Sequence, residues 1–174
     1  MDYYNAMIAE RENQTVRQQV TDSGKVQTLS GNGEATIEDV ALLNESDEPL
    51  EIVNVGQSIK LKIAVKIHAD IPDFVVGYVI KDRLGQSIFG TNTHHMKRNL
   101  TLLKAGTEAE FVFRFAANLG VGTYSVAIAL HTSGTHLARS YEWRDLALVF
   151  NVMNVDKETF VGVAWLPPAL EKIQ

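Results

Sequence analysis

In "SIKLKIAVKIH", residues 58–68, Ile59, Leu61, Ile63, Val65 and Ile67 hold every second position. Successive side chains of an extended chain leave opposite faces, so this alternation specifies a strand with one buried and one wet face. Ser58, Lys60, Lys62, Ala64, Lys66 and His68 form the wet row. "EFVFRF" repeats the pattern with Phe111, Phe113 and Phe115, and "TYSVAIAL" repeats it with Tyr124, Val126, Ile128 and Leu130. Their aromatic and β-branched sides supply a core.

Further strands are expected at 35–43, 74–81, 86–90, 139–152 and 160–165, separated by turn-forming residues at 44–49, 83–85, 105–106, 118–122 and 132–135. In Ile37-Glu-Asp-Val40-Ala-Leu42 the alternation slips by one residue, which predicts a bulge or bend between Ile37 and Val40. About eight strands at fairly even spacing, with no helices between them, specify an all-β antiparallel β-sandwich. A short N-terminal helix is expected over residues 3–19, where Tyr4, Met7 and Ile8 have helical spacing. "TDSGKVQTLSGNGE" follows as a flexible connection. The expected division is therefore a helix and linker at 1–30 and a sandwich at 31–174.

The 174 residues suffice for one domain and a short appendage. Apolar residues make up 45% and charged residues 21%, which suits a folded globular chain. A formal charge of −5 argues against nucleic acid as a partner, because phosphate-backbone binding needs clustered Lys and Arg. Without cysteine there is neither a disulfide framework nor thiol catalysis, which suits a reducing compartment, and the cytoplasm is the expected location. No apolar run approaches the roughly 20 residues of a membrane span, and "MDYYNAMIAERENQ" lacks a signal peptide's basic start and apolar middle.

Catalytic patterns are missing. No Gly-x-x-x-x-Gly-Lys-Ser/Thr stretch is present to cradle phosphates, and the glycines of "GNGEAT" lead into a strand, as turn glycines do. Adjacent His94 and His95 would point to opposite faces of a strand, while His131 and His136 flank a turn, so no converging zinc ligands are expected. Glu142 and Asp145 are about 10 Å apart on an extended chain and on opposite faces, which does not suit a glycosidase pair. The reading is a non-enzyme with no catalytic residue, metal ligand or cofactor.

A binding surface is better supported. Ser125, Ala127, Ala129 and His131 form the outward row of the strand that buries Tyr124, Val126, Ile128 and Leu130. Three small side chains ending in a hydrogen-bonding ring leave a shallow trough. "HLARSYEWRD" adds Arg139, Tyr141 and Trp143 on one strand face. Aromatic faces beside charged donors suit a sugar, whose C–H faces stack on rings while its hydroxyls hydrogen-bond. The alternative is that Tyr141 and Trp143 are core residues, which would require a bulge because Leu146, Leu148, Phe150 and Val152 have the opposite parity.

In order and spacing, "GNGEATIEDVALLN", "GYVIKDRLGQSIFGTNT", "LGVGTYSVAIALH" and the pair "DLALVFNV" and "FVGVAWL" resemble the C-terminal domain of Wzt, the nucleotide-binding subunit of polysaccharide-exporting ABC transporters. The most specific element is Ile80-Lys-Asp-x-x-Gly85 followed by Ile88-Phe-Gly-Thr-Asn92-Thr. The resemblance implies an immunoglobulin-like sandwich that binds O-antigen polysaccharide. It implies the binding module of a longer protein at the inner face of the inner membrane, with an ATPase domain upstream that engages the transmembrane subunit. The quoted hairpin would then be scaffold, with Gly85 in its turn and Asn92 closing a loop.

Two copies per transporter are also implied, hence a homodimer. Phe160, Val161, Val163, Trp165 and Leu166 make the last expected strand too apolar to stand alone in water, so it should join a sheet edge at home or on a second copy. The competing reading is a protein-interaction or dimerisation sandwich without glycan affinity.

Overall fold

Alternation over Ser58–Ile67 is realised as a strand in which Ile59, Leu61, Ile63, Val65 and Ile67 are all buried. The structure is a computed structural model that describes residues 15–20, 24, 26–133 and 139–173. Its strands are β1 (Thr15–Val20), β2 (Val26–Gly31), β3 (Ala35–Leu43), β4 (Ile52–Asn54), β5 (Ser58–Ile67) and β6 (Ile71–Lys81). They continue as β7 (Ser87–Asn92), β8 (Leu100–Leu103), β9 (Glu108–Ala116), β10 (Gly122–His131) and β11 (Ser140–Met153). There is no helix among the described residues.

Two sheets enclose one core. The smaller runs β3-β5-β9; the larger runs β1-β2-β11-β10-β6-β7, with β4 beside β11 and β8 beside β6. All pairings are antiparallel except β4 with β11. Rings from the two sheets meet between them: Tyr78 lies 5.0 Å from Phe113 and 5.9 Å from Phe115, and Phe74 lies 6.0 Å from Phe111. Phe74, Tyr78 and Phe113 are buried, and fully burying a side chain of this size contributes roughly 1.5–3 kcal/mol, while Phe111 and Phe115 pack partly buried against them. The outer face of the smaller sheet is wet and ion-paired, with Lys62–Glu110 at 2.7 Å and Lys66–Glu108 at 3.3 Å.

The bulge expected between Ile37 and Val40 is present as a register shift between Ile37 and Asp39. Other expectations are corrected. Thr15–Gln19, the end of the expected helix, lies in β1, whose β-branched and glutamine-rich "TVRQQV" pairs with β2; the rest of that helix falls outside the described residues. The expected flexible connection contains β2, whose Ser30 and Leu29 pair with Trp143 and Arg144 of β11.

Residues 160–165 form no strand: Gly162 adopts φ 107°, which breaks the extended run, and a single bridge joins Ala164 to Leu119. The segment is nonetheless anchored. Phe160 and Trp165 pack on each other at 4.8 Å and against the core.

Candidate functional site

Antiparallel neighbours share a face, so the ladder determines what surrounds Ala127 and Ala129. Ala129 pairs with Gly77 on one side and Trp143 on the other, and Gly77 pairs in turn with Asn92. Ala127 pairs with Val79, and Val79 with Gly90. Across β7, β6, β10 and β11 the outer face therefore carries two rows of mostly small residues, closed on one side by an indole. The glycines are needed for the close strand approach: a Cβ on Gly77 would lie 3.0 Å from the Asn92 Cβ, and one on Gly90 would lie 3.1 Å from the Val79 Cγ2. The result is a hollow of about 290 Å³ whose rim includes Thr91, Asn92, His95, His131 and Trp143.

The rim offers directed polar atoms. Asn92 Oδ1 accepts from the His95 backbone N–H at 2.7 Å, fixing the chain as it leaves β7. The His131 Nδ1 lies 2.7 Å from the Thr132 carbonyl, so Nδ1–H donates and Nε2 is left to accept in the neutral ring. One step along the strand, Ser125 pairs with Lys81, and both border a second hollow with Asp82, Arg83, Thr123 and Asp145. The Lys81 ammonium stands 5.7 Å over the Trp143 ring and 3.2 Å from Asp145 Oδ1, with both partners of the ion pair largely withdrawn from water. It joins the two hollows and polarises the indole face.

Of the residues expected at the trough, Ala127, Ala129, His131 and Trp143 come together, and Ser125 lies in the adjoining hollow. Tyr141 does not belong there. A register shift between Leu130 and His131 inserts it as an extra residue, which turns its ring into the core; it is 1% exposed, stacks on Phe74 at 5.9 Å and donates to the Asp73 carbonyl at 2.9 Å. Burial first, then the charges of Glu34 and Asp73, push its hydroxyl up to about 12. Arg139 precedes β11 and is exposed outside the trough lining. His136 lies outside the described residues.

The hairpin expected as scaffold alone also supplies trough wall, through Gly77, Val79, Gly90, Thr91 and Asn92. Sequence reasoning missed these residues, together with His95, Lys81 and Asp145. The available signal was the pair of glycines inside otherwise apolar strands, which marks close approach of a backbone or a ligand.

Glu142 and Asp145 have separate partners, Arg144 and Lys81, rather than each other. Among the described residues no group of three or more His, Asp or Glu side chains could hold a metal ion, and no helix is long and apolar enough to cross a membrane. Another hollow, bordered by Arg17, Gln19, Ser30, Thr36 and Arg144, has the Glu142–Arg144 pair in its lining. The charged groups of that pair are already engaged with each other and with the Ile37 backbone.

The family model of the Wzt C-terminal domain matches residues 26–166. Among solved structures, a crystal structure of the C-terminal domain of Wzt aligns with a TM-score of 0.76 at 19% identity, covering 84% of this chain and 89% of that one. A Niemann-Pick type C2 protein from Japanese carpenter ant aligns with a TM-score of 0.48 at 9% identity, covering 71% of this chain and 97% of that one. A beta-glucosidase from Listeria innocua aligns with a TM-score of 0.37 at 13% identity, covering 74% of this chain and 16% of that one. Among curated proteins none matches.

Proposed function

Because the chain belongs to the family of the Wzt C-terminal domain, we propose that it is a non-catalytic module that holds O-antigen polysaccharide for an exporting ABC transporter. In this reading the ATPase domain and the contact with the transmembrane subunit belong to a longer protein. The working location is the cytoplasmic side of the inner membrane.

The observation that carries the binding reading is the trough itself: small residues form its floor, an indole closes one side, and Thr91, Asn92, His95 and His131 border it, with Ser125 in the adjoining hollow. A pyranose C–H face fits against the indole while its hydroxyls reach the rim. The contrast between outer faces supports this side, since the smaller sheet presents Lys62–Glu110 and Lys66–Glu108 ion pairs, a solvated surface.

Titration of the chain with purified O-polysaccharides of differing structure tests the proposal. Trp143→Ala removes the stacking surface and should weaken binding at least tenfold, roughly 1.4 kcal/mol or more, while leaving the fold intact. Ala127→Phe should fill the trough and abolish binding. Unchanged affinity in both variants would move the site elsewhere, and a chain that binds none of the polysaccharides would favour the interaction-domain reading.

A homodimer is part of the same proposal. In a single chain Val161 is 94%, Leu166 80%, Leu170 76% and Ile173 85% exposed. A second copy joined through this C-terminal segment would cover them.

A further inference from the structure

Trp143 occupies the trough only because β11 is held in one register over a very short stretch. Glu142, Trp143 and Arg144 pair with Leu130, Ala129 and Ile128, and this island of ladder is bounded on both sides by register shifts. On the far side, Leu146 adopts φ 47°, a left-handed conformation that a leucine rarely takes, within the irregular segment. Beyond these three pairs the island's register rests only on Trp143 and Arg144 against Ser30 and Leu29 of β2; a register defined by so few pairs is weakly specified, and a one-residue slip would send every side chain of the island to the other face. Trp143 would turn inward, and Glu142 and Arg144 outward.

The residues flanking the indole oppose that slip. Glu142 Oε2 accepts from the Ile37 backbone N–H at 2.7 Å, and Glu142 Oε1 accepts from Arg144 Nε at 2.9 Å and Nη2 at 2.7 Å. Arg144 Nη2 also donates to the Ile37 carbonyl at 2.7 Å, closing a ring of charge-assisted bonds between the two sheets. Ile37, beside the register shift in β3, can engage in this way because β3 is an edge strand of the smaller sheet. Both side chains are largely withdrawn from water, at 9% and 22% exposed.

We infer that Glu142 and Arg144 are positioning residues for the trough: by gripping the Ile37 bulge they fix the register that presents Trp143 on the outer face. The inference rests on the proposed glycan site for its function, but its geometry is tested without any ligand. In a Trp165→Phe background Trp143 is the sole indole, since the chain has two tryptophans. Acrylamide quenching of its fluorescence then reports which face it occupies.

Glu142→Ala and Arg144→Ala should each change the native-state quenching constant of Trp143 at least twofold. In parallel they should lower affinity at least tenfold for whichever O-polysaccharide the parent chain binds, and the loss should not add to that of Trp143→Ala. Arg144→Lys, which keeps the charge but not the bidentate grip, should fall between. Should the alanine variants fail to fold, Glu142→Gln and Arg144→Lys carry the same two measurements.

Variants that lower the urea midpoint yet leave Trp143 quenching and polysaccharide affinity unchanged would overturn the inference, because the ring of bonds would then serve stability alone. If Trp143→Ala and Ala127→Phe both bind as the parent does, the proposed site fails, while the quenching result still decides whether the register is held.

Discussion

Tyr78 and Tyr141 show how one buried hydroxyl links packing to solution behaviour. Burial pushes both up to about 12, from the ordinary value of 10. Their rings are nearly inaccessible, at 4% and 1% exposed. In the unfolded chain both hydroxyls lose their protons near pH 10, whereas the folded protein keeps them to about pH 12. Between these values the unfolded state binds fewer protons, so stability is fully present below pH 10 and falls as pH rises toward 12. Urea midpoints at pH 8, 9 and 11 should be equal at the first two within error and lower at the third. Tyr141→Phe should flatten part of that decline, while losing the hydrogen bond to the Asp73 carbonyl.

At the scale of elements, legibility followed from how much of a strand's environment its own sequence records. β5, β9 and β10 bury one face of a sheet, and their alternation states this directly. The β3 bulge was legible because the slip in parity lies in the strand itself. β11 was not, since its irregularities exist only in relation to β10, and a parity count on one strand cannot register an insertion opposite another. Tyr141, which the sequence placed with Trp143 either on the outer face or in the core, is therefore separated from it: its ring enters the core, while Trp143, between the shifts, lines the trough.

The short strands β4 and β8 and the polar β2 carry too little apolar pattern to announce themselves. Residues 160–165 have strand composition, but Gly162 interrupts them. The join between β2 and β11 offers a test at this scale. A Cβ on Gly31, at φ 151°, would fall 2.1 Å from the Tyr141 carbonyl oxygen, an impossible approach. Gly31→Ala should cost about 1–3 kcal/mol by urea denaturation. Hydrogen exchange should quicken at Asn32 and Gly33, whose amides donate to Ser140 and Tyr141, before it quickens in β5.

For the whole molecule, the C-terminal segment is held by few bonds and yet completes one end of the core. Gly120 N–H donates to Val163, Trp165 N–H donates to Asn118, and Phe160 and Trp165 pack against buried residues. Truncation after Asp156 removes both rings and uncovers Leu119. It should lower stability by about 2–4 kcal/mol and, if the proposed dimer uses this segment, convert it to monomer in sedimentation velocity. An unchanged midpoint with unchanged sedimentation would remove the segment from both roles.

The trough's floor has a consequence for descent. Gly77, Gly90, Ala127 and Ala129 stand near the lower limit of side-chain size, so nearly every heritable change at these positions adds atoms and makes the hollow shallower. The rim is under no such limit: Thr91, His95 and His131 can each be exchanged for larger, smaller or charged groups without lifting the floor. Lineages that diverge in what they accept should therefore do so by altering the rim over an inherited, unaltered base, and drift at the base should appear mainly where the binding role has been given up.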